Sequence, residues 1–132
     1  MKALIKLLPF LFLLSCGDET TGPDKVAIPK PGTYEYSQGT LKSQIIITAT
    51  NVEYSGYLED TWVISFKADF TAKNKNGETV LTLTNELEKE SENGAWSTTN
   101  EPAGELRFRS ITETTFQMYE DVDKVWMTFT KL

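Results

Sequence analysis

The sequence predicts an all-β fold, an antiparallel up-and-down barrel of about eight strands, with a β-sandwich as the alternative arrangement. From Gly32 onward apolar positions recur with a period of two, short Gly, Asn and Asp signals separate the runs, and no stretch there has helical spacing. A period of two puts successive side chains on opposite faces of a strand, so each run can bury one face and wet the other.

The chain opens differently. Residues 1–6 form a short basic head, residues 7–14 are apolar apart from Pro9, and the run stops at Ser15 and Cys16, after which Gly17-Asp18-Glu19 turns acidic. An apolar segment this short has the build of a secretory signal, since a spanning helix needs about 20 residues. Leu13-Leu14-Ser15-Cys16 resembles the lipobox of bacterial lipoproteins, in which a small residue precedes a cysteine that is lipidated and becomes the new N-terminus. The resemblance implies a signal peptide over residues 1–15, cleavage between Ser15 and Cys16, and palmitate-type acylation of Cys16. It places the protein in the cell envelope, held to a lipid bilayer by that lipid. Gly17-Asp18-Glu19 further resembles the acidic signal that sends some Bacteroidetes lipoproteins to the outer face of the outer membrane. Residues 16–31 mix Gly, Pro, Thr and acids without periodicity and read as a flexible tether. Fully extended at about 3.3 Å per residue it reaches on the order of 50 Å.

Residues 32–132 read as one domain. Alternating runs lie near 33–37, 43–50, 52–58, 61–72, 79–89, 95–98, 105–110, 114–120 and 124–131. The clearest is the fourth, where Trp62, Ile64, Phe66, Ala68, Phe70 and Ala72 share one face against Val63, Ser65, Lys67, Asp69, Thr71 and Lys73. Leu81, Leu83 and Leu87 share a face in the fifth, and Asn85 falls among them, where a buried amide needs a partner or a ligand. Leu106 with Phe108, Phe116 with Met118, and Val125 with Met127 and Phe129 complete the apolar set. The connections at 37–39, 58–60, 76–77, 93–94 and 121–123 are tight, the two Asn-Gly pairs being the strongest hairpin signals, and only 100–104 suggests a wider loop. Neighbours joined by short turns pair antiparallel, and a long meander removes its edges by closing. Pairing of the strand around Tyr34 with the one around Phe129 would distinguish closure from a sandwich.

Composition narrows the chemistry. The 132 residues carry 13 bases and 19 acids, and loss of Lys2 and Lys6 with the signal leaves 11 bases against 19 acids. Such an acidic chain is repelled by phosphate backbones and anionic headgroups, which argues against nucleic acid as a partner and against an electrostatic membrane patch. There is no histidine, so Ser-His-Asp and Cys-His nucleophile systems and His-ligated zinc have no basis in this chain. Cys16 is the sole cysteine and has no disulfide partner within the chain. Glu86, Glu88, Glu90 and Glu92 alternate, which puts all four on one solvent face rather than facing each other as paired catalytic carboxylates must. Glu120-Asp121-Val122-Asp123 lacks the glycine and distal glutamate of a calcium loop and reads as a hairpin tip. No enzyme, no metal and no cofactor are expected.

Gly32-Thr33-Tyr34 at the first strand, and the ending 111–118 followed by 125–131, resemble the lipocalin-like (calycin) domains of Bacteroidetes lipoproteins. Tyr34 stands where lipocalins have tryptophan, and the arginine that closes their pattern is missing from the last strand. The resemblance implies a barrel and a non-catalytic binding module. If the strand phases hold, Trp62, Phe66, Phe70, Phe108, Phe116, Met118, Met127 and Phe129 line its interior, with Asn85 as a polar contact, a wall suited to a small apolar ligand. The other expectation is a structural or adhesive surface protein, a filled barrel that meets a protein partner through its outer face or loops.

Overall fold

The computed structural model describes residues 26–132; the expected signal peptide, Cys16 and the first part of the expected tether lie outside the described residues. Nine strands follow one another: β1 (Gly32–Gln38), β2 (Leu41–Ile47), β3 (Asn51–Leu58), β4 (Thr61–Lys75), β5 (Glu78–Glu88), β6 (Ser97–Thr98), β7 (Glu105–Arg109), β8 (Thr115–Glu120) and β9 (Val125–Lys131). All pairings are antiparallel, and each long strand lies beside its neighbour in the chain. β6 is a two-residue addition at Leu87 and Glu88 of β5, and β7 takes the same edge of β5 lower down. The ring closes where Tyr34 and Glu35 of β1 pair with Lys131 and Thr130 of β9. The result is a closed, eight-stranded, up-and-down barrel of lipocalin-like architecture, and the sandwich alternative is excluded.

The hairpins follow local chemistry. β3–β4 turns through Glu59 and Asp60 (φ 51° and 63°), and β4–β5 through Asn76 and Gly77 (φ 56° and 84°). Both central residues are left-handed in each case, the backbone twist that two-residue hairpins need and that Asn, Asp and Gly tolerate best. The second Asn-Gly pair forms no hairpin: Gly94 N–H donates to Ser91 O at 3.0 Å within the longer β5–β6 connection.

The core is a layer of inward side chains drawn from almost every strand. Tyr34, Ile45, Val52, Leu81, Phe108, Phe116 and Phe129 are fully buried, joined by Ile47, Ala68, Leu83, Met118 and Met127. Phe116 sits at its centre, 4.8 Å from the rings of Tyr34 and Phe108 and 5.3 Å from that of Phe129. The N-terminal approach seals one end. Pro29 is buried, Ile28 packs on the core, Thr79 Oγ1 donates to Ala27 O at 2.6 Å, and Tyr34 OH donates to Lys30 O at 2.7 Å. Residues 26–31, assigned by the sequence to the tether, therefore belong to the packed unit. A strap without periodicity carries no strand signal, yet its backbone carbonyls satisfy two hydroxyls that the barrel would otherwise bury alone. We term this the entry end; the β1–β2, β3–β4 and β8–β9 hairpins and the β5–β7 connection form the far end.

Phe116→Ala removes the ring that three other aromatic rings contact, so it is expected to destabilise the domain by about 3–5 kcal/mol, read as a shift in the urea unfolding midpoint.

Candidate functional site

The far end differs from the entry end in what the inward positions carry. Going up the strands, the inward line passes from Tyr34 to Tyr36 on β1, from Ile45 to Ser43 and Leu41 on β2, and from Val52 to Tyr54, Gly56 and Leu58 on β3. On β4 it passes from Ala68 to Phe66 and Ile64, on β8 from Met118 to Glu120, and on β9 from Met127 to Val125. The rings of Tyr54 and Phe66 stack with centroids 5.3 Å apart, and Tyr54 OH shares a 2.8 Å hydrogen bond with Ser43 Oγ. Tyr36 packs its ring against Phe129 and donates its hydroxyl to Gln38 Oε1. A Cβ at Gly56 would stand 3.2 Å from Ile64 Cγ2 and 3.6 Å from Tyr54 OH, so this glycine keeps the wall thin where those two side chains meet. Above these residues Leu41, Leu58, Ile64 and Val125 stay 41%, 49%, 47% and 45% exposed although each holds an inward position. Leu41 and Leu58 are direct cross-strand partners. The mouth is thus an apolar rim over an aromatic and hydroxyl-bearing throat, with the filled core beneath.

Acidic groups complete the far end as structural acceptors. Glu120 accepts from the N–H groups of Val122 and Asp123 at 2.8 and 2.9 Å and so fastens its hairpin. Glu86 accepts from Ala103 N–H and Gly104 N–H at 2.8 and 3.0 Å, and Glu88 accepts from Thr99 Oγ1 at 2.8 Å. These bonds hold the β5–β7 connection against the barrel. Burial first, and the Glu120 charge after it, push the Tyr54 phenol above its ordinary value against the pull of the Ser43 hydrogen bond. The phenol therefore remains a neutral hydrogen-bonding group at physiological pH.

Of the residues expected to line a ligand cavity, Phe108, Phe116, Met118, Met127 and Phe129 do point inward, but they pack against one another as core. Phe70 is inward and half-buried, and Phe66 reaches the throat. Trp62 and Asn85 are elsewhere, and each is displaced by a bulge. Opposite Gly56 and Tyr57 the register slips, so that Ile64 faces Gly56 while Trp62 faces Tyr57. One extra residue inverts the phase of everything beyond it. Trp62 consequently lies on the outer surface, where its Nε1 donates to Ser65 Oγ at 2.8 Å and Ser65 bonds Ser55. The second slip lies between Lys67 and Asp69, opposite the left-handed Asn85 (φ 55°). It leaves Asn85 exposed, donating to Asp69 Oδ2 at 3.0 Å, turns Leu87 outward opposite Lys67, and brings Glu86 and Glu88 to the inward phase instead of the solvent face assigned to them. Outside, these residues line an open groove of about 320 Å³ with Asn51, Glu53 and Lys67. Sequence reasoning passed over Tyr36, Ser43, Tyr54 and Gly56 as site residues, although the period-two spacing of Val52, Tyr54 and Gly56 already placed them on one face.

Chemically the mouth offers apolar side chains and hydroxyl groups. Its hydroxyls are partnered with other hydroxyls or an amide oxygen, and the carboxylates named above are occupied by backbone and threonine donors. Among the described residues no group of three or more Asp, Glu, Cys or His side chains is disposed to hold a metal ion. The chain matches no protein-family model, no curated protein and no solved structure.

Two outcomes are expected. Asn85→Gly should leave stability nearly unchanged while Asn85→Ala costs about 1–2 kcal/mol, because only a Cβ without a local polar group resists the left-handed backbone; chemical denaturation of both variants measures it. The second concerns alkali. Tyr34 and Tyr54 both have phenols raised above 10.0, chiefly by burial. A folded state that holds a proton more tightly than the unfolded chain keeps that stability below the unfolded value and loses it as pH rises through the folded one. The unfolding midpoint should therefore fall above about pH 10, and less steeply in Tyr54→Phe.

Proposed function

We propose that the chain is a lipid-anchored lipoprotein of the cell envelope, carried by the outer membrane and displayed on its surface. Its barrel is a non-catalytic module that binds another protein through the far end. The observation that carries the binding reading is the contrast along the barrel axis: a filled aromatic core at the entry end, and exposed inward-phase Leu41, Leu58, Ile64 and Val125 at the far end. Apolar side chains gathered at a rim and left partly in water favour a partner that covers them, with surrounding acids such as Glu59 and Asp60 supplying a polar margin. The lack of histidine supports a non-catalytic role. The anchor reading is supported by Leu13-Leu14-Ser15-Cys16 and by the direction of entry. The strap reaches the barrel at the end opposite the rim, so a lipid on Cys16 would hold the entry end toward the bilayer and leave the rim free. A second reading, a small apolar ligand held shallowly in the mouth, draws support from the half-buried Tyr36, Tyr54 and Phe66.

Cys16→Ser is expected to release the protein from the membrane fraction or leave it as unprocessed precursor, with loss of radioactive palmitate labelling. Unchanged attachment and processing, with no labelling of the wild type, would refute the anchor. For the binding face, a photocrosslinking side chain placed at Leu58 or Ile64 in intact cells should capture one and the same protein, whereas one at Gln117 on the outer wall should not. Leu41→Asp in the same chains should abolish capture without loss of membrane attachment. Empty rim crosslinks, with a small molecule retained in native mass spectra, would decide for the second reading.

A further inference from the structure

We infer that the entry end of the barrel is itself a docking surface for an anionic lipid bilayer, a second contact that acts beside the acyl anchor and rests on the anchored reading above. Net charge suggests the opposite, but the charges are not evenly spread. The far end carries Glu59, Asp60, Glu90, Glu92, Asp121 and Asp123 on its hairpins and connection, against Lys42, Lys89 and Lys124, of which Lys42 lies 3.8 Å from Asp60. Among the described residues the entry end carries Lys30, Lys73, Lys75, Arg109 and Lys131; Asp69, paired with Asn51 at the start of β3, accepts from Asn85, and the acids at the strand ends themselves are Glu78 and Glu113. Both of those acids are already engaged. Arg107 holds Glu78 through two bonds of 2.7 and 2.9 Å, and Lys30 lies 3.4 Å from Glu113. Among the described residues Lys73, Lys75 and Lys131 take part in no ion pair, and all three are exposed.

Distance keeps the acidic end from cancelling this patch. The shortest strand that joins the two ends, the five-residue β7, extends roughly 16 Å at about 3.3 Å per residue. That exceeds the Debye length of about 10 Å at 0.1 M salt even after the strands tilt. A surface meeting the entry end therefore experiences the lysines and not the average of the chain. The occupant follows from where the chain enters. Residues 26–31 cross this same end, with Pro29 buried and Lys30 at its surface, so the segment leading to Cys16 leaves from among the lysines. A bilayer held by that segment is the charged surface present at the highest effective concentration. Phosphate-bearing headgroups complement lysine ammonium groups, and each lysine close to an anionic surface adds to the attraction. Docked this way, the barrel stands upright with Leu41, Leu58, Ile64 and Val125 directed away from the membrane.

The test uses the acylated protein reconstituted in vesicles of phosphatidylcholine alone or with about one lipid in three replaced by phosphatidylglycerol. Amine acetylation followed by mass spectrometry reads each lysine separately. Lys73, Lys75 and Lys131 should react about threefold or more slowly on the anionic vesicles, and about 0.5 M salt should abolish the difference. Lys89 and Lys124, at the far end, should react equally on both and serve as the internal control. In the variant Lys73→Gln, Lys75→Gln, Lys131→Gln, the acetylation of Lys30 should lose its dependence on lipid composition. Equal rates on both vesicles for protein that floats with them would overturn the docking surface while leaving the anchor intact. Equal slowing of all the lysines would overturn it too, and failure to float with either vesicle would remove the anchor and the inference together.

Discussion

The closure of the sheet at β1 and β9 is the constraint on which the other features of this molecule depend, and Tyr34 stands at that seam. Its backbone pairs with Ile45 on one side and Lys131 on the other, its ring meets Phe116 across the interior, and its hydroxyl bonds the carbonyl of Lys30 in the strap. One side chain thereby joins the sheet, the core and the seal of the entry end. An open nine-strand meander would present two long unpaired edges, and the aromatic layer would face water on one side. Closing the ring removes the edges and gives the inward side chains below the rim neighbours all round. With Phe108, Phe116 and Phe129 in one layer, an eight-stranded barrel has little interior left to offer.

That filling separates two kinds of work along one axis. The entry half is a packed structural plug, held by stacked rings and by hydroxyls bonded to strap carbonyls. The far half retains half-buried tyrosines, a serine, and a rim of apolar side chains that the fold does not cover. The two bulges sharpen the division. The first expels Trp62 from the interior and gives it a bond to Ser65 on the outer wall; the second turns Glu86 and Glu88 toward the β5–β7 connection, where backbone N–H groups and Thr99 bind them. A bulge costs local ladder bonds but re-aims every residue beyond it, so two extra residues redistribute a tryptophan and two carboxylates between the faces.

Electrostatics on the outer surface follow the same economy of local pairing. Glu78 is held below the usual carboxylate range chiefly by its hydrogen bonds from Arg107, whose guanidinium also lies 4.2 Å from the Tyr119 ring centroid. Trp96 lies near two ammonium groups, Lys67 at 4.5 Å and Lys89 at 4.7 Å from its centroid. These contacts keep long cationic side chains flat over the wall and leave the charge contrast between the two ends to residues at the hairpins and strand termini.

Strand existence was legible in the sequence because alternation reports burial of one face directly, and the runs near 61–72, 79–89 and 114–120 correspond to β4, β5 and β8. Inward residues such as Phe108, Phe116, Met118, Met127 and Phe129 were legible for the same reason, as were the turns at Asn76-Gly77 and Glu59-Asp60, whose residue types tolerate the required backbone. The lipobox resemblance also belongs to the sequence alone, since it concerns residues outside the described structure. What the sequence could not resolve were the phase inversions at Trp62 and Asn85, because a bulge is set by the register of the partner strand and leaves the local pattern intact. Closure, the filled interior and the strap under the barrel were likewise decided only by the tertiary structure. Each depends on residues far apart in the chain, Tyr34 with Lys131 and Ala27 with Thr79, meeting in space, and periodicity carries no record of which distant partner a face will find.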